Sequence, residues 1–142
     1  MPLKYAYHPG NVAHSGSPEV AETMDAVARN LGIELTPLEG ATSCGAGIIK
    51  QANQRLQLAL NARTFAMAES LGLEILSPCA ATAGNLKQDL EKLRSDSILM
   101  KEINDVLSKT CDMEFTGNTE VHHLLHLSLI HISEPTRRYA SS

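Results

Sequence analysis

Three cysteines are the residues of this sequence best suited to redox or metal chemistry: Cys44, Cys79 and Cys111. A thiolate is a strong nucleophile and a soft ligand for metals such as iron and zinc. Cys44 lies in a glycine-rich loop and Cys79 follows a Ser-Pro turn, so we take these two as the candidate metal-binding or redox-active pair. Cys111 precedes a predicted strand, and we expect it to be structural.

The length, composition and charge of the chain argue against several classes of protein. The chain has 142 residues, enough for one domain with a core, and an odd number of cysteines argues against a disulfide framework. The net charge of -4 comes with no basic stripe, which argues against a nucleic-acid surface. No apolar run approaches the roughly 20 residues that span a bilayer, and residues 1–5 lack the pattern of a secretory signal. We therefore expect a cytoplasmic protein.

Helices and strands must position the loops that carry the cysteines, and the sequence pattern predicts the first of them. Residues 3–7 alternate like a strand and end at a His-Pro-Gly turn. Ser17 as N-cap and Pro18 at the first helical position begin a helix that ends at Gly32. A second short strand over residues 33–35 follows directly.

The alternation of strand and helix continues along the rest of the chain. The further predicted elements are one long helix over 48–71, a strand over 73–76, a helix ending at Leu93, a helix over 98–107, a strand over 113–116 and a helix beginning at Glu120. This order is typical of an α/β fold, with a small, mostly parallel sheet and helices on both faces.

Such a fold predicts where the cysteine loops lie. In an open α/β sheet, ligands bind beyond the carboxyl ends of the strands. Three loops follow predicted strands, over residues 8–17, 38–47 and 77–85. We expect all three to meet at one edge of the sheet, where Cys44 and Cys79 would join.

The motifs in these loops resemble the CCG cysteine-rich domain, and most of all the N-terminal such domain of the heterodisulfide reductase B subunit. The matching segments are Tyr7-His8-Pro9-Gly10-Asn11, Ser43-Cys44-Gly45, Ser77-Pro78-Cys79-Ala80-Ala81-Thr82 and Gly84-Asn85-Leu86. The resemblance covers residues 3–127, which we predict to be the first of two such domains. Related domains occur in iron–sulfur subunits of some succinate dehydrogenases and glycolate oxidases.

The resemblance implies a redox role. The full family pattern supplies five cysteine thiolates, and in the complete subunit each domain holds an unusual non-cubane [4Fe–4S] cluster. These clusters reduce a disulfide between two small thiol cofactors, using electrons passed from partner subunits. The resemblance therefore implies an oxidoreductase subunit that transfers electrons within a heterodisulfide reductase-like complex.

This sequence departs from the family pattern at three of the five ligand positions. Asn11, Ser43 and Thr82 replace cysteines, and only Cys44 and Cys79 remain as metal ligands. Asn and Thr are poor ligands for iron, and a serine binds only when deprotonated, which costs far more than ionising a thiol. Because iron–sulfur clusters are usually held by about four thiolates, we expect the cluster of this domain to be absent or incomplete.

Three alternatives to cluster binding remain open at the level of sequence. The domain can be a cluster-free scaffold or protein-interaction module of a redox complex. Cys44 and Cys79 can form a thiol–disulfide site, which requires Cα atoms within about 7 Å of each other. A single metal ion can bind the same pair with the help of His8 or His14.

The C-terminal region offers no further site that we favour. His122 and His126 are four residues apart and would share a face of the predicted last helix, but no acidic residue between them supplies a base. Residues 128–142, which follow the family-like region, resemble the translation of a sequencing adapter. We predict that this segment is an artefactual or disordered tail and that the natural chain continues past His126 with another domain.

Overall fold

The computed structural model describes residues 3–10 and 17–127. In this part of the chain, four parallel strands form one sheet in the order β2-β1-β3-β4. The strands are β1 (Leu3–Tyr7), β2 (Ile33–Pro37), β3 (Glu74–Ser77) and β4 (Val121–His123). Asn11, His14 and the predicted tail over residues 128–142 lie outside the described residues.

Five helices of at least five residues connect the described strands, and a short helical turn over residues 124–127 follows β4. The helices are α1 (Pro18–Asn30), α2 (Ile48–Ala52), α3 (Gln54–Leu71), α4 (Ala80–Ser95) and α5 (Ser97–Cys111). The predicted α/β fold with a parallel sheet is confirmed. None of the described helices combines the length and apolar composition needed to cross a membrane.

The sheet is covered on both faces because side chains alternate along its central strands. On one face, Ala6 and Ile75 belong to a core that includes side chains from α3, α4 and α5. On the opposite face, Tyr5 and Leu76 pack with the buried side of α1 and with Leu127. Helices therefore lie on both faces, as the sequence predicts.

The predicted single helix over 48–71 is wrong, because Asn53 divides it into α2 and α3. Asn53 has an extended backbone with φ -155° and ψ 95°, and its side-chain oxygen accepts a hydrogen bond of 3.0 Å from the N–H of Leu56. This side-chain bond caps the first turn of α3 in place of a backbone carbonyl. At the other end, Gly72 adopts the left-handed conformation and closes the helix.

The predicted strand over 113–116 and the helix beginning at Glu120 are also wrong. Side chains from other elements bond to the backbone of Phe115, Thr116 and Asn118 and hold this segment as a loop. The Asn104 amide bonds both the N–H and the carbonyl of Phe115, and the Glu69 carboxylate accepts from the N–H groups of Thr116 and Asn118. The last strand is instead β4.

The position of β4 also removes the predicted histidine pair. His122 lies in β4 and His126 in the short helical turn that follows, so the two residues do not share a helix face. Nε2 of His122 lies 2.6 Å from a carboxylate oxygen of Glu74 on the neighbouring strand. This contact pins the edge strand β4 to β3.

Candidate cysteine site at the sheet edge

The strand order identifies the edge where a site is expected. The second strand, β2, pairs with one side of β1, and the third strand, β3, pairs with the other side of β1. In doubly wound sheets of this order, ligands bind at the carboxyl ends of the two strands where the winding reverses. The loops after β1 and β3 flank this point, and the loop after β2 lies next to them.

The loops after β1 and β3 approach each other at Gly10 and Cys79. Gly10 has φ +81°, and a Cβ atom built on it would lie 2.8 Å from Cβ of Cys79 and 3.2 Å from the Thr82 hydroxyl oxygen. The same added atom would be 3.5 Å from the Cys79 sulfur. Only a residue without a side chain allows this backbone to pass so close to the thiol.

The loop after β2 is tied to the same edge through Cys44. The Cys44 side chain is only 2% exposed and is part of the hydrophobic core on the α3–α5 face. Its carbonyl oxygen accepts hydrogen bonds from Nδ2 of Asn61 on α3, at 3.0 Å, and from Nδ2 of Asn85 on α4, at 2.6 Å. The Cys44 loop is therefore anchored to the helix that begins at Cys79.

A buried polar network lies beneath this anchor. Nδ2 of Asn61 and Nε2 of Gln57 donate to one carboxylate oxygen of Asp89 at 2.6 and 2.7 Å, and all three side chains are buried. Burial raises the pKa of Asp89 above its ordinary value, and these hydrogen bonds together with the charge of Lys50 offset part of that rise. Nζ of Lys50 also donates to the Asn85 side-chain oxygen at 3.3 Å.

The sequence contains a signal for this network that our prediction missed. Gln57 and Asn61 are four residues apart on α3, and Asn85 and Asp89 are four apart on α4. Residues at this spacing share a helix face, so each pair forms a polar patch. Two such patches on adjacent helices pack against each other under the Cys44 loop.

Ser43 and Thr82, two of the three positions where the family resemblance implies cysteines, take part in local hydrogen bonds. The Ser43 hydroxyl accepts from the N–H of Gly45 at 3.1 Å. The Thr82 side chain is 2% exposed and donates to the Cys79 thiol. Cys111 lies at the end of α5, where its thiol donates to the carbonyl of Leu107 in the preceding turn. Ser43 and Thr82 thus support the loops where the family pattern has cysteines.

Cys79 occupies the N-cap position of α4 and has an unusual thiol. Burial works to raise its pKa, but hydrogen bonds from the Thr82 hydroxyl and from the N–H groups of Thr82 and Ala81 together bring the pKa below its ordinary value. The side chain is half-buried, and no disulfide joins it to another described cysteine. Cys79 is therefore a partly accessible thiol with enhanced thiolate character.

We expect Cys79 to react with iodoacetamide faster than Cys44 or Cys111, because the thiolate is the reactive form and Cys44 is almost fully buried. The substitution Thr82→Val keeps the shape of the side chain and removes its hydroxyl. It should slow alkylation of Cys79 and move the pH–rate profile to higher pH. Peptide mass spectrometry after timed alkylation measures all three thiols, with Cys111 as internal control, and a profile unmoved by T82V would contradict the assignment.

The described donor set does not fit a four-iron cluster. Among residues 3–10 and 17–127, no three His, Cys, Asp or Glu side chains are grouped so as to hold a metal ion. Of the two thiols at the edge, that of Cys44 points into the hydrophobic core, and the hydroxyls of Ser43 and Thr82 are engaged in hydrogen bonds. Two thiols of this kind fall short of the roughly four thiolates that hold such clusters.

Comparison with protein families places these motifs in a known group. A family model described as CCG, cysteine-rich domain, matches residues 5–87, which include Cys44 and Cys79. In fold, the chain is similar to a hypothetical protein from Helicobacter pylori, with a TM-score of 0.78 and 16% identity over 89% of this chain and 25% of that one. This second likeness concerns the fold alone.

Sequence relatives are subunits of redox enzymes. The chain is 31% identical over 134 residues to the 8-methylmenaquinol:fumarate reductase membrane anchor subunit of Wolinella succinogenes, covering 94% of this chain and 46% of the relative. It is 27% identical over 117 residues to the B subunit of the ferredoxin/F420H2-dependent CoB-CoM heterodisulfide reductase of Methanosarcina acetivorans, covering 82% and 39%. A protein of Archaeoglobus profundus described as like the heterodisulfide reductase B subunit is 24% identical, covering 86% and 41%. The chain spans less than half the length of these curated relatives.

Proposed function

Because the chain belongs to the cysteine-rich CCG domain family, we propose that it is the first such domain of an electron-transfer subunit similar to the heterodisulfide reductase B subunit. The domain comprises residues 3–127, and the complete subunit works in the cytoplasm with partner redox subunits. One observation carries the proposal: the three loops with the family's motifs are linked at one sheet edge through Gly10, Cys44, Cys79 and Asn85. The names of the relatives support the same class of complex.

Within this complex, the domain serves as a scaffold and docking surface whose own cluster site is degenerate. The loops at Ser43-Cys44 and Cys79–Thr82 line the former site, and Asn11 is the third substituted position. The hydrogen bonds from Asn61 and Asn85 hold the Cys44 loop against the helices by protein groups alone. Reduction of a disulfide substrate takes place in the part of the subunit beyond this domain, or where that part meets it.

The experiment is purification of the full-length protein under anaerobic conditions, with an affinity tag at the native locus. We expect partner subunits to co-purify, disulfide reduction by the complex, and iron and acid-labile sulfide in the amount for one cluster-binding domain of the subunit. A lone chain with neither redox partners nor disulfide reduction would contradict the proposed function. Iron and sulfide for two clusters per subunit would contradict the degenerate site.

One observation favours a second candidate, a thiol–disulfide site. The lowered pKa of Cys79 suits a nucleophile that attacks a substrate disulfide, forming a mixed disulfide and releasing one substrate thiolate. This candidate requires the buried Cys44 side chain to turn out of the core. Attack by its thiolate would then release the second thiolate and leave a Cys44–Cys79 disulfide, so that two electrons pass to the substrate. Mass spectrometry of the protein after disulfide treatment tests this: a Cys44–Cys79 bridge supports it, and a stable mixed disulfide at Cys79 alone contradicts it.

A further inference from the structure

Two histidines contact the two cysteine loops with the same pattern of hydrogen bonds. Each ring accepts, at Nδ1, the N–H of the residue two positions further along: Gly10 donates to His8 at 3.2 Å, and Leu125 donates to His123 at 3.3 Å. Each Nε2 lies 3.0 Å from a backbone carbonyl oxygen, that of Thr42 for His8 and that of Pro78 for His123.

This pattern determines the state of both rings. A backbone N–H can only donate, so Nδ1 of each ring must offer a lone pair and carries no proton. A carbonyl oxygen can only accept, so Nε2 must carry the proton. The hydrogen bonds therefore place the ring proton of His8 and of His123 on Nε2. For His8, which is 4% exposed, burial also lowers the pKa, which favours the neutral ring.

The accepting carbonyls lie next to the candidate thiols. Thr42 is two residues before Cys44, and Pro78 immediately precedes Cys79. His8 follows β1 and reaches the loop after β2, while His123 ends β4 and reaches the loop after β3. Each ring thus joins the carboxyl ends of two neighbouring strands at a point within two residues of a cysteine.

We propose that His8 and His123 are positioning residues, His8 for the Cys44 loop and His123 for the Cys79 loop. Their importance for activity rests on the proposed function of this edge, but their effect on the thiols does not. In each ring, Nδ1 accepts from a turn and Nε2 donates to the neighbouring cysteine loop. The position of that loop therefore depends on one donor and one acceptor in a single side chain. An amide of the right length can replace either half of this bridge, and this allows a direct test.

The test compares asparagine and glutamine at each histidine. In His8→Asn, the side-chain oxygen can still accept from the N–H of Gly10, as in an Asx turn, but the side chain is too short to reach the Thr42 carbonyl. In His8→Gln, an amide N–H lies where Nε2 was and can still donate to Thr42. We expect H8N to speed both the alkylation of Cys44 and amide exchange in its loop by about five- to tenfold, because one hydrogen bond is lost. We expect H8Q to restore most of the protection.

The same comparison at His123 supplies the matched control. H123N should change the alkylation of Cys79 and amide exchange at residues 78–81, and H123Q should reverse much of the change. Each substitution should affect only its own loop. We expect H8N to leave the alkylation rate of Cys79 near the wild-type value, and H123N to leave that of Cys44 near the wild-type value. The substitution His126→Asn, at an exposed histidine of the adjoining turn, controls for general effects of losing an imidazole.

Several outcomes would overturn the proposal. These are equal changes at both loops in either variant, asparagine and glutamine variants that behave alike, and wild-type rates throughout. If a variant fails to fold, the ¹⁵N spectrum of the wild-type histidines gives a reading without mutation. Two rings that carry the proton on Nε2 and a lone pair on Nδ1 support the assignment, and a proton on Nδ1 at either position contradicts it. A chain that lacks redox partners would contradict the proposed function and leave these readings unchanged.

Discussion

Restoring cysteines at Asn11, Ser43 and Thr82 is expected to give the domain an iron–sulfur cluster that we do not expect the wild-type domain to hold. The double substitution Ser43→Cys and Thr82→Cys raises the number of thiols at the edge to four, and adding Asn11→Cys restores the five of the family pattern. Four thiolates are the usual requirement for a [4Fe–4S] cluster. Because the three loops are already linked at this edge, the new thiols enter an assembled backbone rather than a site that must first form.

The measurement is anaerobic reconstitution with iron and sulfide, followed by metal and sulfide analysis and a visible spectrum. We expect no stable cluster in the wild-type domain, partial incorporation in S43C/T82C, and close to four irons per chain in the triple variant, in line with the cluster stoichiometry. The single variant S43C controls for thiols added without completing the set. Removing Cys79 by Cys79→Ser in the triple variant should greatly reduce the bound iron, and a triple variant as free of iron as the wild type would contradict our assignment of the site.

The hydroxyls of Ser43 and Thr82 take part in holding the loops of the candidate site. Ser43 accepts from the N–H of Gly45 and Thr82 donates to Cys79, so each side chain bonds within the loop that it belongs to. A metal cluster would link the loops through its ligands, whereas here the links come from protein groups: the amides of Asn61 and Asn85 on Cys44, and His8 on Thr42. These hydrogen bonds between protein groups hold the loops at the sheet edge together.

The sequence predicts those parts of the fold that depend on local pattern. β1 was predicted with its observed bounds because its side chains alternate and a His-Pro-Gly turn ends it. Gly72 marked the end of α3 because the left-handed conformation at a helix end favours glycine. The three loops were predicted to share an edge because parallel strands have their carboxyl ends on the same side.

The error over residues 113–116 arises because side chains from other elements bond to the backbone there. Residues 113–116 have the hydrophobic pattern of a strand, but Asn104 bonds the backbone of Phe115 and Glu69 accepts from the N–H of Thr116, in place of a neighbouring strand. The ring of Phe115 packs against that of Phe65, with centroids 5.3 Å apart, which fixes the loop to α3. Such contacts depend on the completed fold and leave no periodic signal in the loop itself.

In the candidate site, residue types were predictable but their partners were not. The family motifs indicate Cys44, Cys79 and Asn85, whereas Gln57, Asn61 and Asp89 lie outside them. His8 lies in the family-like motif of residues 7–11, yet the hydrogen bond from its ring to Thr42 spans 34 residues. Long-range hydrogen bonds of this kind require knowledge of which loops meet, and that follows only from the strand order.

The close approach of the loops after β1 and β3 makes Gly10 the most sensitive glycine of the candidate site. In Gly10→Ala, the new methyl would lie 2.8 Å from Cβ of Cys79, a distance at which one of the two backbones must move. The residue also has φ +81°, which costs an L-residue about 1–2 kcal/mol. Forced overlap in a packed site adds roughly 1–3 kcal/mol, so we expect a total loss of about 2–5 kcal/mol in the free energy of unfolding.

Gly32→Ala separates the two contributions, because Gly32 has φ +70° but no atom within 4 Å of an added Cβ. Urea unfolding should show that G32A loses only the backbone share of about 1–2 kcal/mol. G10A should lose more, and should also change the rate of Cys79 alkylation, which G32A leaves unaltered. Equal losses in the two variants would mean that the loops after β1 and β3 are not in contact at Cys79. The candidate site would then lack the junction between its first and third loops, and the cysteine-restoring variants would have no assembled edge on which to act.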